Sequence, residues 1–259
     1  MINLSLKSRL SVLDMVTKSG EGHIASSYSI AEILIAIYQS LANAGRESEF
    51  MSHLVLSKGH AAYGLYGLLH SLGELTDEEV ATVGQPGSYL IGHVPVKPER
   101  GFFIGTGSLG QGLPMALGRA FGRRQSGDSI PEFVIVGDGE FNEGSCWESL
   151  LLMKKFPKLK MRVIIDANHS SDRAIPMADV FDAIRAGWKT VDVHGHDVDA
   201  MVEILRDDSD DNLIIIAATE KGWPLARMRA NPVWHHKMPN AAEANEIKQE
   251  LAEFFGGTR

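Results

Sequence analysis

Phe133-Val134-Ile135-Val136-Gly137-Asp138-Gly139 is an apolar run that stops at an acid held between two glycines. Met161-Arg162-Val163-Ile164-Ile165-Asp166-Ala167-Asn168 is a second such run, stopping at Asp-Ala-Asn. Glu143–Phe156, between them, reads as a helix. Two strands of nearly continuous apolar residues around a helix form the pattern of a parallel sheet covered on both faces. Downstream the alternation continues: a helix over Val180–Gly187, a strand over Thr190–Val193, a helix over Val198–Arg206, a strand over Leu213–Thr219 and a last helix over Ala241–Phe255. Upstream, Leu113–Arg124 reads as a helix behind the glycine-rich turn Gly105–Gly112, and residues 84–101 as a Gly- and Pro-rich loop. Ala61–Leu72 reads as a helix despite two glycines, and Leu54–Leu56 as a short strand. Thr76 with Glu79 forms a capping box; Ser29 with Glu32 reads as another, opening a helix through Ile30–Leu41. Leu6, Leu10, Leu13 and Val16 mark an N-terminal amphipathic helix. The expectation is an α/β fold, a parallel sheet with helices on both faces, with residues 1–259 as a single domain. In such sheets ligands bind at the carboxyl ends of the strands.

Composition narrows the function classes. The chain has 259 residues, 44% hydrophobic and 22% charged, the balance of a folded globule. Its formal charge of −8, from 25 basic and 33 acidic residues, argues against a general nucleic-acid binder. A single cysteine, Cys146, excludes an internal disulfide framework and fits a reducing compartment, the cytoplasm. The longest apolar runs are far short of a membrane span, and MINLSLKSRL lacks the apolar block of a signal peptide.

Three features carry chemistry. Asp138 and Asn168, 30 residues apart at the ends of successive expected strands, offer a carboxylate and an amide oxygen to one Mg²⁺. Phosphate oxygens of a diphosphate cofactor would complete its shell, and the flanking glycines leave room for them. Either residue alone reads better as a turn former (Asp138) or a helix cap (Asn168); the pairing reverses that preference in favour of the metal. Gly105-Thr106-Gly107-Ser108-Leu109-Gly110 matches G-x-G-x-x-G. A nicotinamide-binding reading fails for want of a ribose-binding acid about 20 residues on, but the glycines still permit close backbone approach to a ligand. His23, His60, His93 and His235 each lie in a Gly- or Pro-containing segment. Loop histidines at strand ends can converge to bind hydroxyls and move protons near neutral pH.

These stretches resemble the transketolase family over nearly the whole chain. Gly137-Asp138-Gly139-Glu140-Phe141-Asn142-Glu143-Gly144 resembles the family's GDGELQEG, and the separation to Asn168 fits the thiamine diphosphate signature of GDG followed by Asn. Ser19–Ser29 is similar to SGHPGGSLS, Leu56–Ala62 matches LSKGHAA, and Thr106–Gly112 matches TGSLGQG. Gly195-His196-Asp197 matches GHD, and Trp234–Asn240 is similar to WHGKAPN. The resemblance implies thiamine diphosphate and Mg²⁺ as cofactors. Asp138, Asn168 and the Ser170 carbonyl would hold the metal. Gly139 and Glu143 would stand beside the diphosphate, and Gly107, Ser108 and Leu109 beside the organic rings. His60 and His235 would face the diphosphate and reacting centre, His23 and His93 would bind substrate hydroxyls, and His23 and His235 would help move protons. The reaction implied is transfer of a two-carbon ketol unit from a ketose or its phosphate to an aldose.

Some segments depart from the family. Asn168-His169-Ser170-Ser171-Asp172-Arg173 lacks the family's glycine and is shortened, which leaves the third metal ligand open. Lys221–Asn231 replaces a flexible loop with one containing Trp223 and Pro224, a matter of packing or of a reshaped channel and a different sugar. His236 stands where the family has glycine. In the family a separate pyrimidine-binding domain activates the cofactor, and 259 residues leave no room for it. The expectation is the diphosphate-binding subunit of a split transketolase, completed by a separately encoded partner in an α₂β₂ assembly. Two alternatives are a deoxyxylulose-phosphate-synthase-like subunit that decarboxylates pyruvate, and a non-catalytic cofactor-binding subunit.

Overall fold

Five parallel strands carry the computed structural model, which describes residues 2–172, 175–229 and 231–257. Arg173 and Ala230, within the two segments that depart from the family, lie outside the described residues, as do Met1, Thr258 and Arg259 of the expected 1–259 domain. The helices are α1 (Ile2–Ser19), α2 (Ile24–Ser29), α3 (Ala31–Ala42), α4 (Phe50–His53), α5 (Ala62–Ser71), α6 (Asp77–Ala81), α7 (Gly112–Gln125), α8 (Gly144–Lys155), α9 (Ala178–Gly187), α10 (Val198–Leu205) and α11 (Ala241–Gly256). The strands are β1 (Leu54–Leu56), β2 (Glu132–Gly137), β3 (Met161–Ala167), β4 (Thr190–His194) and β5 (Leu213–Ala218). Their order is β1-β2-β3-β5-β4, and every neighbouring pair is parallel.

Strand periodicity divides the core in two. Leu54, Leu56, Phe133, Ile135, Ile164 and Ile215 point to one face, where they join buried residues of α1, α2, α3, α5, α10 and α11. Val55, Val134, Val136, Val163, Ile165, Ile214 and Ile216 point to the other, against α7, α8 and α9. Adjacent strand residues thus bury on opposite sides, as the uninterrupted apolar runs require. Gly64 and Gly67 in α5 have a packing role. A Cβ on Gly67 would lie 2.6 Å from Ser8 O, and one on Gly64 2.9 Å from Ser27 O. Both glycines let α5 press against α1 and α2.

The Thr76–Glu79 capping box is present, but Ser29 and Glu32 do not form one. Ile30 is the N-cap of α3 and provides no side-chain cap. Glu32 is buried and takes both guanidinium nitrogens of the fully buried Arg9 at 2.7 Å. Ser29 instead donates to Asp166 at 2.9 Å. Tertiary charge pairing overrides the local capping pattern here. The turn before α7 is not preceded by a strand: Phe102 makes only an isolated bridge to Lys97.

Candidate functional site

β2 and β3 are neighbours in the sheet, and Gly137 pairs with Asp166 in register. Asp138 and Asn168 therefore leave the sheet side by side at its carboxyl edge. They line a cleft of about 280 Å³ together with Lys58, Gly59, His60, Gly107, Leu109, Gly139, Ser170, Lys221 and His235. Two segments bring the upper wall. The β1 end supplies Lys58–His60, and the glycine-rich turn supplies Gly107 and Leu109. Glu140 clamps these pieces, accepting from Ser57 Oγ at 2.6 Å, Gly137 N at 2.8 Å and Gly110 N at 3.0 Å.

Asp138 is buried. Its Oδ1 accepts from Gly139 N at 2.8 Å, while Oδ2 is buried without a hydrogen-bond partner. Burial and the charge of Asp166 push its carboxyl above the usual carboxylate range, against the pull of Lys58. An unpartnered buried carboxylate oxygen is expensive unless a cation or donor meets it. Asn168 is oriented by a buried network: its Nδ2 donates to Asp166 Oδ2 at 2.8 Å and Ser29 Oγ at 3.1 Å, while its Oδ1 accepts from Ser170 N at 3.0 Å. Asp166 also pairs with Lys58 and accepts from Thr219. Despite full burial, the neighbouring Lys58 ammonium and these donors hold its carboxyl below the usual range.

The four predicted histidines converge. Ring centroids lie 4.5 Å apart for His23 and His60, 5.5 Å for His23 and His235, and 5.4 Å for His60 and His93. His236 joins them, 4.3 Å from His235 and 5.2 Å from His23. Burial, followed by repulsion from neighbouring histidines, lowers His23 to about 3. Burial, with His93 and Lys58, lowers His60 to about 4; burial, with Lys221, lowers His235 to about 4. All three are neutral imidazoles at neutral pH. Lys221 Nζ lies 2.6 Å from His235 Nδ1, so that nitrogen accepts and Nε2 carries the proton.

Not every expected residue lines the cleft. Ser108 and Glu143 are exposed and do not, although Ser108 sits between two residues that do, and a Cβ on Gly110 would touch Glu143. His23 and His93 do not either, and stand against His60, which does. Trp223 stacks on His196 at 4.8 Å and packs against Phe254, away from the cleft. Its neighbours Met228, Asn231 and Pro232 line an adjoining cavity of about 560 Å³, which shares Asn168, Ser170, Lys221 and His235 with the cleft. Sequence reasoning does not single out Lys58, Glu140, Asp166 or Lys221. Asp166 carries a signal: it lies two residues before Asn168 at a strand end, hence on the same side.

The donor set fits a divalent cation bridging to a phosphate ligand. A buried carboxylate oxygen without a partner and an oriented amide oxygen suit a hard cation. Gly139 leaves space, since a Cβ there would meet nothing closer than Ser171 at 3.5 Å. Lys58 and Lys221 add positive charge in the same cleft.

Comparison with known proteins agrees with this geometry. The family "Transketolase, thiamine diphosphate binding domain" matches residues 3–252. An apulose-4-phosphate transketolase subunit from Actinobacillus succinogenes is 30% identical over 96% of this chain and 94% of its own length. The protein of that name from Phocaeicola vulgatus is 28% identical over 96% of this chain and 92% of its own. The solved transketolase of Campylobacter jejuni superposes with a TM-score of 0.80 at 24% identity, covering 99% of this chain. This chain spans 43% of that structure's length. The chain belongs to the transketolase family, as its thiamine diphosphate binding domain.

Proposed function

We propose that this chain is the diphosphate-binding subunit of a two-component, thiamine diphosphate-dependent transketolase. The observation that carries the reading is the pairing, in one cleft, of the partnerless Asp138 Oδ2 with the oriented amide of Asn168. Asp138, Asn168 and the Ser170 carbonyl hold Mg²⁺. Gly139 and Glu143 lie along the diphosphate, and Gly107, Ser108 and Leu109 along the organic rings. Bound thiamine diphosphate supplies a nucleophilic carbon and an electron sink for breaking and forming the bond beside a ketose carbonyl.

The protein positions substrate and moves protons. His23 and His93 donate hydrogen bonds to sugar hydroxyls. His60 and His235 face the diphosphate and the reacting carbon. Neutral imidazoles suit an oxygen that gains and loses a proton within one turnover: His23, neutral near pH 7, accepts that proton and returns it, while His235 gives its Nε2 proton to the oxygen as Lys221 supplies one to Nδ1, and both return in the reverse step. Lys221, held on His235 Nδ1, fixes the tautomer that presents Nε2–H.

A separately encoded pyrimidine-domain subunit completes the site in an α₂β₂ assembly. Support comes from the two relatives named as transketolase subunits, each matched over nearly its full length. A ketose phosphate is the first donor to assay, because those relatives are named for apulose 4-phosphate. Cys146, buried and unpaired, supports a cytoplasmic setting, and among the described residues no helix is long and apolar enough to cross a membrane. The test is reconstitution with the partner subunit. Two-carbon transfer from ketose to aldose that needs both chains supports the reading. Release of CO₂ from pyruvate would point to a decarboxylating ligase instead, and activity of the partner without this chain would remove its catalytic role.

A further inference from the structure

His236, which the proposed reaction does not use, adds a third imidazole to His23 and His235. One ligand nitrogen from each of His23, His235 and His236 lies within 4.8 Å of the others. His23 Nδ1 is buried and has no hydrogen-bond partner. His236 is exposed at the edge of the group, free to adjust its rotamer. His23 and His235 are already neutral near pH 7, so neither has to shed a proton to bind a cation. From these observations we infer a second, distinct metal site: His23, His235 and His236 bind one borderline-soft divalent transition metal ion of the Zn²⁺ class.

The donor chemistry separates this site from the one at Asp138. Three imidazole nitrogens and a water are an established zinc set, whereas Mg²⁺ takes oxygen ligands and keeps its waters. Metal–nitrogen bonds of about 2.1 Å in a tetrahedron set the nitrogens roughly 3.4 Å apart. The widest separation, at most 4.8 Å, therefore has to close by no more than about 1.4 Å, a distance that side-chain rotation covers.

Lys221 opposes the ion. An imidazole with metal on one nitrogen carries a proton on the other, which leaves no acceptor for an ammonium group. Whichever nitrogen of His235 binds, Lys221 Nζ must give up its 2.6 Å contact. The site is thus gated by a lysine that the metal must displace. On the proposed transketolase reading, a bound ion takes two imidazoles out of proton transfer, so the site is inhibitory. The binding itself does not rest on that reading.

The probes are Co²⁺, whose visible spectrum reports tetrahedral nitrogen ligation, and Zn²⁺ to displace it, both titrated into the full chain in excess Mg²⁺. The expected result is one equivalent bound. His236→Ala should weaken binding by about tenfold or more, Lys221→Met should tighten it, and Asp138→Asn should leave it unaltered. Opposite effects of the first two substitutions support the site. Any other combination, or weakening that follows Asp138→Asn, overturns it.

Discussion

Asn168 donates its amide nitrogen to Asp166 Oδ2 at 2.8 Å, which turns the amide oxygen away from that buried carboxylate. Asp166, two residues back on the same side of the strand end, thus decides which atom of Asn168 is left for the proposed metal. Asp166 in turn is held by Ser29, Thr219 and Lys58.

Asp166→Asn should act on both stability and metal affinity. It leaves the nearly buried Lys58 without its counter-charge, a loss on the order of 3–5 kcal/mol. It also replaces one of the two acceptor oxygens in the network that fixes Asn168 by an amide donor, and Mg²⁺ affinity should fall roughly 10–100-fold. Urea unfolding measures the first and an Mg²⁺ titration in the presence of thiamine diphosphate the second. Unchanged affinity in a folded variant would sink the orienting role.

Asp138→Asn should have the opposite effect on the free chain. The carboxyl is buried, has one oxygen without a partner and is repelled by Asp166. Removing its charge should stabilise the chain by about 1 kcal/mol in metal-free buffer, as expected where function keeps an unfavourable group. Denaturant melts in chelator check this; a marked loss of stability would mean that Asp138 is a structural residue.

Two glycines separate packing from ligand space. A Cβ at Gly112 would lie 2.4 Å from the Ser57 side chain, so Gly112→Ala should destabilise by about 1–3 kcal/mol. A Cβ at Gly139 meets nothing closer than 3.5 Å. Gly139→Ala should therefore melt like the parent yet bind thiamine diphosphate at least about tenfold more weakly, by loss of close approach to the diphosphate. Calorimetric titration distinguishes them, and parental affinity in Gly139→Ala would move the diphosphate elsewhere.

Sequence reading reaches the sheet and the juxtaposition of Asp138 and Asn168 for one reason: both depend on local pattern. β2 and β3 are unbroken apolar runs, and Asp138 and Asn168 punctuate them. The histidines are legible as loop residues, although their convergence needs the fold. What escapes is set by long-range pairing. Lys58 and Asp166 are 108 residues apart, and Glu32 meets Arg9 across α1 and α3. A capping-box pattern at Ser29 and Glu32 fits locally, but nothing local says that both side chains are engaged by buried charges.

The histidine cluster gives a pH signature. His23, His60 and His235 are lowered from 6.5 to about 3, 4 and 4 by burial and by neighbouring cationic groups. Below about pH 6.5 the unfolded chain takes up protons on these rings while the folded chain does not, so folding stability falls with falling pH toward 4. Thermal melts from pH 7.5 to 5 should show that decline, reduced in His23→Asn. The three imidazole resonances should stay at neutral positions down to pH 5; titration near 6.5 would contradict the buried, mutually repelling cluster.

The central claim is that the cleft at the ends of β2 and β3 holds thiamine diphosphate through a metal on Asp138. The direct measurement is calorimetric titration of thiamine diphosphate into the chain assembled with its partner, with and without Mg²⁺, in the parent and in Asp138→Asn. The account predicts Mg²⁺-dependent binding in the parent and its loss in the variant. Equal binding in both, or binding indifferent to Mg²⁺, would contradict it.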